Sequence, residues 1–423
     1  MEGKNLQSKG DNKYKKKSKE IVIKNLKILK GEELELIEGC IRIREGIIKE
    51  IKPHIDRGKD VVIYDGSGYL ALPCFVNAHT HVGDSIAKDI GIGLNLKDLV
   101  HPIYGLKRKM LQEAKDESLI NSMKSSLEDM LRQGFFCFCD FREGAVKGVK
   151  LLKEALKEVK IQAIILGRAE YYFDEKELLE DRELPNKVVR ELSDVLEVSD
   201  GLGLSGANEY SNRALIKIGE LVRERGKLLA IHAAESKDTK FFSYSKTFMS
   251  EVERIMRFLK PNFLIHLTQA DEKDLDLIWK GKAGVVVCPR ANAELSVGFP
   301  PISKMLKKGL LVAIGSDNFM LNSPEPFKEM DYLIKVSSIM EEKPYPLKPR
   351  DVLKMITVNG AKLLKLDKAG PIDVNFHSNM ILIDLKDKNL EGSKDIIASV
   401  VRRGRVDNIK AIMVNGEWVY GRI

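Results

Sequence analysis

Short apolar runs alternate with longer amphipathic segments through the middle of the chain, between residues 70 and 318. Apolar residues fill successive positions in the short runs, which is typical of parallel strands that are buried on both faces. In the longer segments, such as 116–133 and 212–226, apolar residues recur every three to four positions, as in helices that pack one face on a core. The eight short runs lie at 70–81, 135–143, 161–170, 202–209, 228–235, 263–268, 283–290 and 311–318. This alternation predicts an α/β fold, specifically a (β/α)8 TIM-like barrel.

Both ends of the chain have a different pattern, in which strand-like segments follow one another with only short polar turns between them. These segments lie at 21–30, 33–44 and 47–53 near the start, and at 379–384, 396–402 and 409–420 near the end. Helical periodicity is not evident in them. We therefore predict a small β-sandwich domain formed by both termini, residues 21–69 and 371–423, beside a barrel at 70–370.

Charge adds a basic tail to this picture. Residues 1–20 contain seven lysines against three acidic residues, so that half of the net charge of +8 lies in a segment without hydrophobic periodicity. Such a composition predicts a disordered basic tail. Because Tyr14 is its only aromatic residue, the tail offers little stacking on bases, and we predict no specific nucleic-acid partner.

Apolar runs and cysteines indicate the cellular setting. No apolar run approaches the roughly 20 residues that cross a bilayer, and the first residues lack an apolar signal segment. The five cysteines are an odd number and are scattered, which indicates free thiols in a reducing compartment. We therefore predict a cytoplasmic protein without membrane association, and leave a homo-oligomeric state open.

Residues that can bind a metal end several of the apolar runs. His79 and His81 end the first run, and residues two apart in a strand point to the same side. His232 lies near the end of the fifth run, His266 near the end of the sixth and Asp317 near the end of the eighth. The carboxyl ends of barrel strands meet at one face, so these side chains should converge. His79, His81, His232 and Asp317 form a set of three nitrogens and one oxygen with an open position, which suits catalytic zinc or iron.

Five motifs resemble those of a known family. They are a strand into H-x-H at 66–81, H-x-x-E at 232–235, a turn similar to N-P-x-S-N at 288–292, G-[ST]-D at 315–317 and a helix similar to A-T-x-x-G-A at 357–361. Cys288 and Ala291 depart from the pattern of the turn. Together the motifs resemble the amidohydrolase superfamily over nearly the whole chain. The chain is most similar to its mononuclear deaminase branch, which includes adenosylhomocysteine/methylthioadenosine deaminases, chlorotriazine hydrolases, and guanine and cytosine deaminases.

One divalent metal ion, zinc or alternatively iron, is the expected cofactor. Such an ion lowers the pKa of a bound water to about 7. Asp317 can accept a hydrogen bond from that water, and His266 can stabilise the developing negative charge. In the resembling deaminases the glutamate of H-x-x-E, here Glu235, carries a proton from water to a ring nitrogen of the substrate. The lysine that bridges two metals in related enzymes is absent from 201–208, although Glu170 leaves a two-metal site open.

Arginines at strand ends carry the clearest indication of the substrate. Arg168 and Arg290 lie at the ends of the third and seventh runs, and guanidinium groups suit carboxylate or phosphate. We predict a substrate anion at one of them, with Asn292 nearby and His101 within reach; ion pairs with neighbouring glutamates are the alternative. The segment 96–103 lacks the tryptophan and glutamate with which nucleoside-type deaminases of this branch bind a ribose.

These features predict a metal-dependent hydrolase that acts on carbon–nitrogen bonds other than peptide bonds in a small-molecule substrate. The expected reaction is deamination, which releases ammonia from an amino-substituted heterocycle such as a purine, pyrimidine or pterin. Hydrolysis of an amide or cyclic amide, and an inactive barrel used for binding, are the alternatives. The long aromatic-rich segment at 236–261 is either a lid over the site or a helix packed on the barrel.

Overall fold

The computed structural model describes residues 20–56, 58 and 60–423. The predicted basic tail lies outside these residues, except for Glu20, which begins the first strand. In chain order the strands are β1 (Glu20–Lys30), β2 (Glu35–Arg44), β3 (Ile47–Lys52), β4 (Val61–Asp65), β5 (Tyr69–Pro73), β6 (Phe75–His81), β7 (Phe135–Arg142), β8 (Gln162–Gly167), β9 (Gly201–Leu204), β10 (Leu228–Ala233), β11 (Phe263–His266), β12 (Gly284–Val287), β13 (Val312–Ile314), β14 (Asp317–Asn318), β15 (Met380–Asp384), β16 (Ile409–Val414) and β17 (Glu417–Gly421).

Strands β6 to β14 are parallel and form one curled sheet. Seven of the predicted runs each supply one of its strands, and the eighth is split into β13 and β14 by Gly315 and Ser316. β13 pairs with β12, whereas β14 pairs with β6, where Asp317 lies beside Thr80. The sheet is consistent with the predicted TIM-like barrel, and the carboxyl ends of its strands meet at one face.

The helices lie between and after the strands of this sheet. In chain order they are α1 (Leu96–Val100), α2 (Leu106–Glu113), α3 (Asp116–Arg132), α4 (Ala145–Ala155), α5 (Glu175–Leu179), α6 (Asn186–Val198), α7 (Asn212–Glu224), α8 (Lys237–Thr247), α9 (Glu251–Arg254), α10 (Glu272–Lys280), α11 (Pro289–Glu294), α12 (Ile302–Lys307), α13 (Pro326–Met340), α14 (Pro349–Met355), α15 (Val358–Leu363) and α16 (Ile396–Arg403). Helices α1 to α12 lie between these strands and α13 to α16 follow β14; α3 and α7 confirm the helical periodicity predicted at 116–133 and 212–226. A π-helix at Ile255–Leu259 follows α9 directly. No helix of the described residues combines the length and apolarity needed to cross a membrane.

The strand predicted at 396–402 is wrong, because this segment is helix α16. Its β-branched residues resemble a strand, but Ile397, Val400 and Val401 are buried at helical spacing. The Asp395 side chain caps the helix by accepting the Ala398 backbone N–H. Tertiary packing and the cap therefore outweigh the local β propensity.

Strands from both ends of the chain form a second sheet, in the order β17-β16-β15-β5-β1-β2-β3, with β4 also paired to β1. β5 lies between β1 and β15, where Ala71 pairs with Leu382. The run predicted as one strand at 70–81 is thus divided: β5 belongs to this sheet, and β6 begins two residues after β5 ends. The sheet of the termini is therefore coupled directly to the strand that carries His79 and His81.

Candidate metal centre and active site

The carboxyl ends of four strands bring together the metal-binding residues predicted from the sequence. His79 and His81 lie on β6, His232 on β10, His266 at the end of β11 and Asp317 on β14. All five side chains are buried. Burying a carboxylate and four imidazoles together in an apolar interior costs free energy unless they bind a ligand or each other.

Four of these side chains present atoms at the spacing of a tetrahedral metal site. The His79 Nε2 atom lies 3.2 Å from Asp317 Oδ1 and 3.2 Å from His232 Nε2. The His81 Nε2 atom lies 3.3 Å from His232 Nε2 and 3.5 Å from Asp317 Oδ1. Ligand atoms bound tetrahedrally at about 2.0–2.1 Å from an ion are roughly 3.3–3.4 Å apart. The four residues therefore fit one such ion.

His266 is close enough to compete with His81 for a place in this set. One ligand atom from each of His79, His232, His266 and Asp317 lies within 4.8 Å of the others. The separations that involve His81, 3.3 Å to His232 and 3.5 Å to Asp317, are close to a tetrahedral edge. His266 instead has its Nδ1 atom 2.8 Å from Asn292 Oδ1 and its Nε2 atom 3.5 Å from a Glu235 oxygen. We therefore favour His81 as the ligand and place His266 beside Glu235.

The protonation states of these groups suit a metal ion. Burial lowers the pKa of His79 and of His232, and burial together with the Lys107 charge lowers the pKa of His81 to about 3. Burial opposes ionisation of Asp317, but the hydrogen bond with His79 and the nearby imidazoles hold its pKa below the usual range. Neutral imidazoles and one carboxylate are the forms that bind zinc or iron.

Contacts behind the imidazoles fix their orientation. The His81 Nδ1 atom lies 3.0 Å from Glu143 Oε1, and the His232 Nδ1 atom lies 2.9 Å from the Leu204 carbonyl oxygen. Such partners keep the opposite nitrogen unprotonated and directed at a metal. The buried Oδ2 atom of Asp317 has no hydrogen-bond partner among the residues described, so it remains available to an ion or water.

The G-[ST]-D motif holds the first and last barrel strands together. A Cβ atom on Gly315 would lie 2.7 Å from His79 Cβ and 2.8 Å from the His79 carbonyl oxygen, so only glycine fits there. Asn77 donates to Ser316 Oγ at 2.7 Å and accepts the Ser316 N–H at 2.9 Å. These contacts place Asp317 opposite His79.

Comparison with known proteins agrees with this geometry. The model of the amidohydrolase family matches residues 70–419. The chain belongs to the amidohydrolase family. It is 42% identical to an uncharacterized protein of Methanocaldococcus jannaschii, over 89% of this chain and 93% of that protein. The resemblance predicted from the motifs is therefore confirmed.

A relative with a named activity supports the deaminase branch, and a solved structure supports the fold. The chain is 28% identical to a 5-methylthioadenosine/S-adenosylhomocysteine deaminase of Caldicellulosiruptor saccharolyticus, over 92% of this chain and 90% of that protein. It shares its fold with an adenosine deaminase of Xanthomonas campestris that was crystallised with zinc. That match has a TM-score of 0.82 and 16% identity, and it covers 95% of this chain and 93% of the other.

A buried lysine joins the amidohydrolase site, although no pattern in the sequence singles it out. Lys107 lies on α2 in the polar run Lys107-Arg108-Lys109, which is typical of a solvated helix face. Its Nζ atom nevertheless lies 2.9 Å from Glu143 Oε1, 3.0 Å from Asn318 Oδ1 and 3.2 Å from Asp84 Oδ2. Burial raises the pKa of Asp84 to about 7, against the effect of Lys107. Lys107 therefore links the helix to the carboxylate that orients His81.

We expect Lys107→Met to destabilise the protein by about 3–5 kcal/mol, because it removes the buried cation that lies against both Asp84 and Glu143. The methionine keeps most of the aliphatic stem, so the change reports on the charge rather than on a cavity. Urea unfolding followed by circular dichroism measures the difference. The matched control is Lys109→Met on the same helix, where the side chain is 68% exposed, and a change within about 0.5 kcal/mol is expected. Equal effects of both variants would contradict this account.

Two of the predicted substrate residues, Arg168 and His101, line one cavity of about 270 Å³. The cavity also has Glu143 and Glu170 in its wall. Arg168 is 8% exposed, and its guanidinium lies 3.7 Å from the nearest carboxylate oxygen, Glu143 Oε1. The Arg168 Nε atom is buried without a hydrogen-bond partner in the described part of the chain. A buried donor of this kind is costly unless a ligand satisfies it.

The other two predicted substrate residues lie elsewhere. The Arg290 guanidinium donates to the Ser323 carbonyl oxygen at 3.1 Å and to Asn322 Oδ1 at 3.0 Å, and it lines a separate polar cavity. Asn292 is fully buried, and its Oδ1 atom contacts His266. The structure therefore does not bring Arg290 together with Arg168, since position at a strand end fixes the face of the barrel but not the direction of a long side chain.

Proposed function

We propose that this protein is a metal-dependent aminohydrolase that removes an amino group from a heterocycle and releases ammonia. The observation that carries the proposal is the position of Glu235, whose carboxylate lies 3.5 Å from His266 at the edge of the three-histidine, one-aspartate cluster. A metal centre with an adjacent carboxylate that can move protons is what deamination of an aromatic ring requires. The activities named for the relatives support the same class of reaction.

One ion is proposed, with His79, His81, His232 and Asp317 as its ligands, zinc as the metal and iron as the alternative. A divalent ion supplies a Lewis acid and lowers the pKa of a water that it binds to about 7. Glu170 does not favour a second ion. It accepts the Gly144 N–H at 2.9 Å and pairs with Arg108 at 3.5 Å, on the side of the cavity rather than between the ligands.

Glu235 is the proposed proton carrier. Burial raises the pKa of Glu235, which makes the carboxylate a stronger base and the acid a usable donor near neutral pH. Glu235 takes a proton from the attacking water, delivers it to a ring nitrogen, and so makes the ring carbon electrophilic. His266 hydrogen-bonds to the oxygen that attacks, and Asn292 holds the His266 ring in that orientation. Asp317 accepts the second proton of the water and passes it to the departing amine.

The substrate is proposed to carry a negative group that accepts a hydrogen bond from Arg168. The unsatisfied Nε atom and the cavity beside it support this position over Arg290, and His101 lies in the wall of the same cavity. Arg168→Lys keeps the charge but loses the planar fork of donors. We expect KM to rise about tenfold or more while kcat changes less than threefold, as steady-state kinetics will measure. A larger effect of Arg290→Lys on KM would move the anion to the second cavity.

The direct test of the function is ammonia release from a panel of aminopurines, aminopyrimidines and pterin by the zinc-loaded protein. Ammonia from at least one compound, lost in the Glu235→Gln variant, is the expected result. Hydrolysis of amides or cyclic amides alone would favour the second activity predicted from the sequence. No turnover of either class, without stoichiometric zinc after purification with added metal, would favour the inactive barrel.

The remaining architecture is also a proposal. We infer that the sheet of the two termini is a small β-sandwich domain beside a closed barrel in a cytoplasmic enzyme. The domain bounds predicted at 21–69 and 70–370 shift by a few residues, because β5 (Tyr69–Pro73) belongs to the sheet of the termini, which continues at 371–423. Ile23, Ile41 and Leu382 share one buried cluster that is separate from the barrel core, which supports a domain of its own. Limited proteolysis that cut within the barrel before it separated the two termini from it would contradict this division.

A further inference from the structure

The base of the long segment at 236–261 is fastened to the active site by one buried carboxylate. Glu251, on α9, is 3% exposed. Its Oε2 atom accepts the Ala234 N–H at 2.7 Å, and its Oε1 atom accepts the Ala207 N–H at 3.3 Å. Glu251 thus contacts the backbone of Ala234, the residue that directly precedes Glu235.

The conformation of Ala234 explains why such a contact matters. Ala234 has a φ of 46°, in the left-handed region that an alanine enters only at a cost of roughly 1 kcal/mol or more. This turn ends β10 and aims the side chain of Glu235 at His266 instead of continuing along the strand. The buried Ala234 N–H is bonded to a side chain, and it would be costly to leave it without an acceptor. Glu251 is that acceptor.

Helix α9 is also anchored through Arg254, which contacts Ala207, as Glu251 does. Arg254 donates to the Ala207 carbonyl oxygen at 3.1 Å and to the Tyr210 carbonyl oxygen at 2.7 Å. The Ser250 side chain caps the helix by accepting the Glu253 N–H at 3.0 Å. In contrast, α8 leaves the side chain of Phe241 76% exposed. Glu251 and Arg254 therefore anchor the base of the segment at two points, whereas α8 has contacts of its own, such as the Asn208 amide that donates to the Thr239 carbonyl oxygen at 2.8 Å.

We propose that Glu251 is a positioning residue that holds Ala234 in its left-handed turn and thereby sets the carboxylate of Glu235 against His266. This proposal rests on the role of Glu235 as proton carrier. Glu251 acts through the backbone of Ala234 and touches neither the metal ligands nor the substrate. Its loss should therefore lower kcat while KM and metal content stay nearly constant.

The test is a double-mutant cycle of Glu251→Ala and Glu235→Gln in the zinc-loaded full chain, with the heterocycle that releases ammonia most rapidly in the panel as substrate. We expect Glu251→Ala alone to lower kcat about 30- to 100-fold with KM within twofold. In the E235Q background the same change should cost less than threefold, since the group that it positions is already inactive. Glu251→Gln keeps one oxygen for Ala234 and should retain kcat within about fivefold.

Controls separate this inference from a general loss of stability and from failure of the proposed reaction. Glu253→Gln, on the same helix, should leave kcat within twofold. Amide hydrogen exchange of the peptide that contains Ala234 should accelerate at least tenfold in Glu251→Ala and not in Glu253→Gln, whether or not a substrate is turned over. If Glu251→Ala does not fold, Glu251→Asp, which withdraws the carboxylate by one methylene, replaces it in the cycle. Equal losses in both backgrounds, or unchanged exchange at Ala234, would overturn the proposal.

Discussion

Replacing Glu235 with glutamine is expected to lower kcat by about 10³- to 10⁴-fold while the protein keeps its metal. The amide has nearly the same shape and remains next to His266, but it cannot accept a proton from water and return it to a ring nitrogen. KM should change little, because the group is needed in the transition state more than in substrate binding. Steady-state and single-turnover kinetics of ammonia release measure the changes in kcat and KM, and zinc analysis of the same sample measures the metal that is retained.

Glu209 provides the matched control for this experiment. It is another buried acidic residue, and burial raises its pKa to about 7, but it hydrogen-bonds to Ser205, which directly follows β9, rather than lying against His266. Glu209→Gln should leave kcat within about tenfold. If Glu235→Gln retained more than a tenth of the original rate on a true substrate, the proton-carrier role would be wrong.

Loss of a metal ligand is expected to have the second large effect. His232→Ala should reduce bound metal below about one tenth of an equivalent and bring turnover below detection, because His232 Nε2 lies within 3.3 Å of two other ligand nitrogens. Elemental analysis and ammonia release measure the two losses. Dialysis of the unmodified protein against a chelator should have the same consequence, and added zinc or iron should restore activity and identify the preferred metal.

The surface residue His54 serves as the control for the ligand variant. Its side chain is 78% exposed, and its nearest carboxylate is Asp56 at 3.5 Å, far in sequence from the barrel strands. His54→Ala should retain metal and turnover within twofold. One equivalent of metal per chain is expected for both the unmodified protein and this control. Two equivalents of metal per chain would instead support the two-metal site with Glu170 as the bridging ligand.

The sequence was sufficient to predict the positions of residues that strand geometry brings together. His79 and His81 are two apart on a buried strand, so their common direction follows from the pleat alone. His232, His266 and Asp317 follow from the rule that the carboxyl ends of parallel strands converge. The motifs around these positions resemble those of one family, and the match of the amidohydrolase family model confirms this resemblance.

Residues that act through long-range contacts could not be predicted in this way. Lys107 and Glu251 lie on short helices with charged neighbours, and nothing local distinguishes them from solvated side chains. Their importance comes from partners far along the chain, such as Glu143 for Lys107 and Ala234 for Glu251. Arg290 shows the limit of a local pattern. Its position at a strand end could be predicted, but that position does not determine its contacts with Asn322 and Ser323.

The pairing of β5 with β15 has a consequence for how the enzyme is made. β5 ends at Pro73 and leads directly into β6, yet one of its two neighbours in the sheet begins at Met380, about 300 residues later in the chain. During synthesis at roughly 5–20 residues per second, β5 therefore waits tens of seconds for that partner. Contacts of such large sequence separation slow folding and leave strand edges open to other chains meanwhile. A nascent chain that stalls before residue 380 would contain the proposed catalytic side chains. Its β5, which leads into the strand that carries His79 and His81, would still lack its neighbour β15.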